Sequence, residues 1–434
     1  MRWGVDVRPG ELKLLLVSAA YFFLVLTSYY IIRPIREEMG VVGGVENLAW
    51  LFAGTLLGTI MVHPLFTWVV ARYPRKQFIP IAYRFFIVNL VIFFILLRAV
   101  SAESYVWIGR IFFNWTSVFN IFVVSVFWAF MADIFRSGQA KRLFGLISIG
   151  GTLGAMLGSG ITALLAESLG PVNLLLISAL FLELALRCAR YLGRTAVHVD
   201  LGSRNDDELA MGGSILAGIT GVARSPYLLG IVAYIILSSI TATAMYFQQA
   251  DIVGRAFADP GARTAFFARI DFFVNLLTLV TEAFVTARII RWFGLGVALS
   301  VLPVVTIAGF TWLGLSPTLG VLMVAQVFRR GWNYGMMKPA QEALFTVIPR
   351  EDKYKAKNLI DTFVYRAGDQ VGAWSYEALL AAGLGVSAIA FVNVPVAGLW
   401  ILTGLALGMH QERRSAALDG AVLGGRPEPD PTGA

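Results

Sequence analysis

The chain has 434 residues, of which 57% are hydrophobic and only 14% charged, and its mean hydropathy is +0.72. A soluble domain carries about a quarter charged residues, so this composition excludes a soluble enzyme and implies a polytopic helical membrane protein. The net charge of +8 then reads as loop bias rather than a nucleic-acid surface, and a single cysteine, Cys188, excludes an internal disulfide framework.

In chain order, apolar windows of about 20 residues predict about twelve spans. They fall at 12–33, 46–71, 78–98, 105–132, 143–167, 171–192, 226–250, 264–291, 295–315, 318–345, 355–382 and 385–408. The start, MRWGVDVRPGELK, carries no cleavage pattern around its apolar run, so no removed signal peptide is expected. The long polar stretch 193–225 divides the spans six and six. This gives an N-terminal bundle over 1–192, a cytoplasmic linker over 193–225, a C-terminal bundle over 226–412 and a disordered cytoplasmic tail over 413–434.

Basic residues set the orientation. Alternate loops hold Arg72, Arg75 and Lys76, then Arg136, Lys141 and Arg142, and later Arg350, Lys353 and Lys355, whereas the intervening loops are nearly free of them. Positive loops face the cytoplasm, which predicts that both termini do as well. The halves also echo one another at an offset of about 214 residues: AYFFL (20–24) matches AYIIL (233–237), VVARYPRK (69–76) matches VTARIIRW (285–292), and Gly154 and Gly158 match Gly368 and Gly372. Six plus six helices in parallel repeat is the arrangement of major-facilitator transporters, which hold substrate between their halves.

A charge in the bilayer centre costs about 2.5–3.5 kcal/mol, so charged residues inside the spans are candidate site residues. The first span ends in YYIIRPIREEMG (29–40), with Arg33, Arg36, Glu37 and Glu38. Two readings stand here: a surface cap ended by Pro34, or a longer helix lining a cavity, whose guanidinium forks suit phosphate or carboxylate. In the eighth span Asp271, Asn275, Thr278 and Glu282 share a face; the tenth carries Arg330, Tyr334, Lys338, Gln341 and Glu342, with Pro339 expected to kink it. In the eleventh, Lys357, Asp361, Tyr365 and Asp369 recur every fourth residue as one polar stripe flanked by Arg366, with Glu377 further on. A structural ion-pair ladder is the competing reading of that stripe.

Other features are structural. Gly150, Gly154 and Gly158 form a packing face. His63, His198 and His410 are too scattered to suggest a metal. No phosphate-loop motif or catalytic constellation appears, so neither an enzyme nor a bound cofactor is expected.

At this point the sequence resembles a known family, the ATP/ADP translocase-type nucleotide transporters of plastids and obligate intracellular bacteria. The likeness rests on YYIIRPIREEMG, on FWAFMADIF with AKRLFGL behind it (127–146), on ARTAFFARIDF (262–272), on RWFGLGVALSVLP (291–303), and on KPAQEALF and KYKAKNLIDTFVYRAGD within 338–369. It implies a facilitator-like carrier that exchanges or imports nucleotides. Arg36 stands where the family uses a basic residue; Lys355 and Lys357 match its KxK, Asp361 and Arg366 its following Asp and Arg, and Glu342 a Glu. The chain departs from the family at Gln341, where a Lys is expected, near Thr116 and Asn120, and at Gln248, where acidic residues are expected.

Together these readings imply an alternating-access carrier, a monomer in a bacterial inner membrane, for a nucleotide-like or other phosphorylated polyanion. Arg33, Arg36, Tyr334, Lys338, Lys357, Tyr365 and Arg366 would bind the anion. Glu37, Asp271, Glu282, Glu342, Asp361 and Asp369 would pair with those cations when the site is empty. Two rivals stand beside it: a proton-coupled facilitator of an unrelated metabolite or drug, with Asp271, Glu282 or Asp369 as proton carrier, and a non-transporting sensor or lipid-handling scaffold.

Overall fold

The computed structural model describes residues 8, 11–72, 75–135, 137–195, 222–348, 356–357 and 359–424. The elements are α1 (Glu11–Val42), α2 (Leu48–Arg72), α3 (Arg75–Ala99), α4 (Ala102–Ile134), α5 (Ser137–Leu169), α6 (Leu174–Thr195), α7 (Pro226–Ala256), α8 (Pro260–Phe284), α9 (Thr286–Leu315), α10 (Leu319–Trp332), α11 (Lys338–Leu344), α12 (Tyr365–Ala381) and α13 (Val386–Gly424). Short 3-10 and π turns connect several of them, and no strand occurs among the described residues. An all-helical fold follows from the composition, because hydrocarbon offers no partner for a free backbone N–H or C=O.

Among the described residues nine helices are long and apolar enough to cross a membrane. Of the other three expected spans, the second runs as α2, a helix of 25 residues from Leu48 to Arg72. The tenth and eleventh are cut by π turns at Asn333–Met337 and Ile360–Val364, leaving α-helical pieces of 14, 7 and 17 residues.

Several expected boundaries move. The first span does not stop at residue 33: α1 continues to Val42 with Pro34 inside it, so Pro34 removes one hydrogen bond without ending the helix. The eighth span does not reach 291. α8 ends at Phe284, and Gly294, at φ 80°, breaks α9 near its start, so the basic segment RIIRW lies on a short helical piece between two breaks. The tail, expected to be disordered from 413, is helical to Gly424. Its Ala, Leu and Arg residues favour helix, and Arg414 lies over the Tyr227 ring at 4.6 Å. His63, His198, Arg350, Lys353 and Lys355, and nearly all of the 193–225 linker, lie outside the described backbone or side chains.

The contacts resolve two compact units that do not follow the sequence halves. The first comprises Met1–Leu209, Tyr246–Leu279 and Thr318–Met323. Here α1 is the central helix, packed on α5, α6 and α4. A Cβ on Gly154 would strike the Phe23 carbonyl and one on Gly158 the Thr27 carbonyl, so only glycine permits this approach of α5 to α1. Hydroxyl pairs satisfy one another across the interior, Tyr21 with Tyr83 at 2.5 Å and Ser28 with Ser178 at 2.8 Å.

The second unit comprises Ala210–Met245, Val280–Pro317 and Val324–Ala434. There α9 packs along α13, touching at Gly296 and Gly408. A Cβ on Gly368 would lie 2.7 Å from the Ser239 Cβ, and one on Gly372 3.0 Å from the Ile240 Cα. The repeat seen in sequence therefore recurs as packing: α12 meets α7 through the same glycine pair that joins α5 to α1.

Candidate functional site

The charges at the end of α1 are buried and partnered inside the first unit. Arg33 Nε lies 3.7 Å from Asp271 Oδ2 of α8, with side chains 15% and 2% exposed. Its guanidinium also sits 5.4 Å from the Tyr30 ring. Arg36 stacks 3.8 Å over the Phe113 ring, its Nε donates to the Phe113 carbonyl and the Ser117 hydroxyl, and its Nη1 donates to Glu37 Oε1 at 3.0 Å. Glu38, fully enclosed, accepts from Arg263 Nη2 at 3.0 Å. Tyr246 interacts with Glu37.

The helix does not end at Pro34, as the surface-cap reading required. A helix of 32 residues is about 48 Å long, and its last third carries three arginine–carboxylate pairs, two of which reach α8. Gly261 lies against the Ala166 carbonyl and Arg269 pairs with Glu167 at 3.1 Å, so α8 is fastened to α5 as well. Glu38 was singled out with the other charges at the end of the first span, but Arg263 was not among the expected site residues. The signal was present in ARTAFFARIDF, where two arginines and an aspartate share one apolar helix.

The second cluster lies in the second unit, where both π turns carry expected site residues. Tyr334 is within the first π turn and Lys338 directly follows it; the Lys338 ammonium sits 5.2 Å over the Tyr334 ring. Asp361 is within the second, and Tyr365 directly follows it. A π turn bonds i to i+5 and widens the helix locally, often at functional sites. Here it breaks the register on which the fourfold spacing of Lys357, Asp361, Tyr365 and Asp369 depends.

The expected single stripe is accordingly redistributed. Lys357 turns to α11 and pairs with Glu342 at 2.5 Å. Tyr365 donates to Gln341 Oε1 at 2.7 Å, at the position where the family pattern has a lysine. Asp369 accepts from Arg366 one turn before it, at 3.4 Å. The Asp361 side chain lies outside the described residues. On α8, Asn275 donates to the Asp271 carbonyl, whereas Glu282 is exposed in the last turn and is not brought to Asp271. Pro339 follows the π turn as the second residue of α11. Of the positions where the family has acids, Thr116 is buried with its hydroxyl on its own helix, and Gln248 is fully buried. No metal-binding group of His, Cys, Asp or Glu occurs among the described residues.

Lys357 and Glu342 are half-exposed and exposed, while Arg33, Asp271 and Glu38 are enclosed. The α1 cluster is balanced, three arginines to three carboxylates. Among the described side chains of α10–α12 and the stretch between them, Arg329, Arg330, Lys338, Lys357 and Arg366 stand against Glu342, Asp369 and Glu377, which suits an anion.

No protein-family profile matches the chain. It is 21% identical to ADP,ATP carrier protein 1 of Chlamydia trachomatis, spanning 87% of this chain and 84% of that one. It is likewise 21% identical to ADP,ATP carrier protein 1 of Chlamydia muridarum, over 89% and 85%. Among solved structures it resembles an auto-inhibited POT family peptide transporter, at TM-score 0.62 and 14% identity, covering 97% of this chain and 99% of that one. It also resembles the nucleoside transporter NupG, at TM-score 0.57 and 12% identity, covering 92% and 98%. The fold is thus that of major-facilitator-like transporters.

Proposed function

We propose that this chain, a divergent relative of the ADP,ATP carrier proteins, is an alternating-access carrier for nucleotide-like or other phosphorylated anions. The observation that carries the reading is the cation-rich polar cluster on two π-broken helices of an otherwise apolar chain. Lys338 over Tyr334, Lys357 on Glu342 and Tyr365 on Gln341 each offer a donor or an aromatic face that a polyphosphate or base can take up.

Glu342 holds Lys357 when no anion is present. An incoming phosphate competes for the ammonium, and the difference in contacts between the two states is what a ligand needs to shift a conformational equilibrium. Arg36 and Arg33 of α1 contribute positive field in the first unit, offset by Glu37 and Asp271. In this reading two six-helix bundles joined by the 193–225 stretch lie in a bacterial inner membrane as a monomer. The basic loops and both termini face the cytoplasm.

A second reading has one observation in its favour. Glu38 is fully enclosed, and its Oε2 makes no hydrogen bond; a buried carboxylate of that kind suits proton carriage. Uptake of labelled ATP into proteoliposomes separates the two. Uptake without a proton gradient supports the nucleotide carrier, whereas uptake of other solutes that needs the gradient and ignores nucleotides supports the proton-coupled facilitator.

A further inference from the structure

The connection from α8 to α9 is a helical piece of its own, residues 286–293, set off by a break at Val285 on one side and by Gly294 at φ 80° on the other. α8 ends at Phe284 and the apolar run of α9 resumes at Leu295, so the piece lies where two spans leave the hydrocarbon. Its inner face is anchored in the second unit: Thr286 donates to the Gly335 carbonyl, and Ile289 and Ile290 pack against the core.

The outer face joins residues that neither water nor hydrocarbon accommodates together. Trp292 is 68% exposed, Phe293 61%, and Phe284, just before the piece, 56%. Arg288 and Arg291 are exposed beside them, and Arg288, Arg291 and Trp292 share one helix face at i, i+3 and i+4. Large rings flanked by guanidiniums fit the headgroup layer, where the rings reach the acyl boundary and the charges stay at the phosphates. α13 brings a third cation to the same level. It meets this region through Gly408 against Gly296 and Glu412 against Gly294, and the next residue, Arg413, is exposed.

Protein groups do not neutralise these cations. The Arg288 side chain donates to the Phe284 carbonyl, and the Arg291 and Arg413 side chains make no hydrogen bond or ion pair among the described residues. Glu282 and Glu412, the acids nearest to them in sequence, pair with none of the three.

We propose that this face is a binding surface for the headgroups of anionic phospholipids, with Arg288, Arg291 and Arg413 at the phosphates and Trp292 and Phe293 against the acyl chains. Guanidinium forks take phosphate oxygens in pairs. A zwitterionic headgroup offers the same phosphate but brings an ammonium towards the arginines, so a lipid of net negative charge is preferred. None of these residues takes part in the contacts of Lys338, Lys357 and Tyr365, and the inference does not depend on what the chain carries.

The test uses the full-length chain in phosphatidylcholine vesicles containing a minor share of phosphatidylglycerol, with brominated acyl chains on one lipid or the other. The quenching that disappears in Trp292→Phe reports the lipid lying against that residue. Brominated phosphatidylglycerol is expected to quench Trp292 out of proportion to its share of the bilayer. Arg291→Gln and Arg413→Gln, at exposed positions without protein partners, should each lower that enrichment about fivefold. Arg98→Gln, which removes an exposed arginine in the last turn of α3, should leave it unchanged. Quenching in proportion to bulk composition, or an enrichment that survives in the Arg291→Gln, Arg413→Gln double variant, would overturn the surface. Inorganic phosphate that abolishes the enrichment at constant ionic strength would overturn it too, because the arginines would then be holding the free anion rather than the lipid.

Discussion

The Glu38–Arg263 pair allows a sharp test of how the first unit is held. Glu38 is fully enclosed, Arg263 is 11% exposed, and the Nη2–Oε1 separation is 3.0 Å. At an effective dielectric of about 20 the attraction at that distance is about 5 kcal/mol. Desolvation offsets much of it, but removing one partner of a buried pair costs about 3–5 kcal/mol because the other charge is stranded. Arg263 also donates to the carbonyls of Phe257 and Ala258 between α7 and α8, so its loss loosens that turn too. Arg263→Met should therefore lower the melting temperature in detergent, followed by tryptophan fluorescence, and Glu38→Gln in the Arg263→Met background should recover part of the loss. A single variant that melts with wild type, or a double variant no better than Arg263→Met, would refute the claim that the pair fastens α1 to α8.

Three further outcomes follow from the geometry. Gly154→Ala should destabilise the fold measurably by thermal denaturation while Gly145→Ala does not, because a Cβ at 154 meets the Phe23 carbonyl and one at 145 meets nothing within 4 Å. Lys357→Ala should change the melting temperature little, since its pair with Glu342 is partly solvated and such pairs contribute about 0–1 kcal/mol; nucleotide uptake into proteoliposomes should nevertheless fall severely. Tyr365→Phe removes the hydrogen bond to Gln341, a net loss of about 1 kcal/mol, and should weaken ATP binding in a titration by about fivefold.

How much of this was legible beforehand depended on range along the chain. The apolar windows located the helices, and the offset of Gly154 and Gly158 against Gly368 and Gly372 located two equivalent helix contacts, because small residues in a helix face report directly on close approach. Pro34 misled in one of its two readings: a proline argues for a helix end, yet packing of α1 against three neighbours carries the helix eight residues past it. The π turns left no periodic trace. Residue spacing every fourth position assumes an unbroken register, so Lys357 and Asp369 were placed on one stripe that the second π turn divides. Gly294 falls in the gap expected between the spans ending at 291 and starting at 295, and at φ 80° it breaks the helix there; the earlier break, at Val285, carried no such signal. Partner choice was the least accessible. Arg263 and Glu38 are 225 residues apart, and Lys357 and Glu342 are 15 apart.

The central claim is tested most directly by counter-exchange. Proteoliposomes loaded with labelled ADP, with no proton gradient, should release label when ATP is added outside, saturably, and Lys357→Ala should abolish that release. Release that ignores external nucleotide, or that appears only when a proton gradient is imposed, would contradict a carrier for nucleotide-like anions.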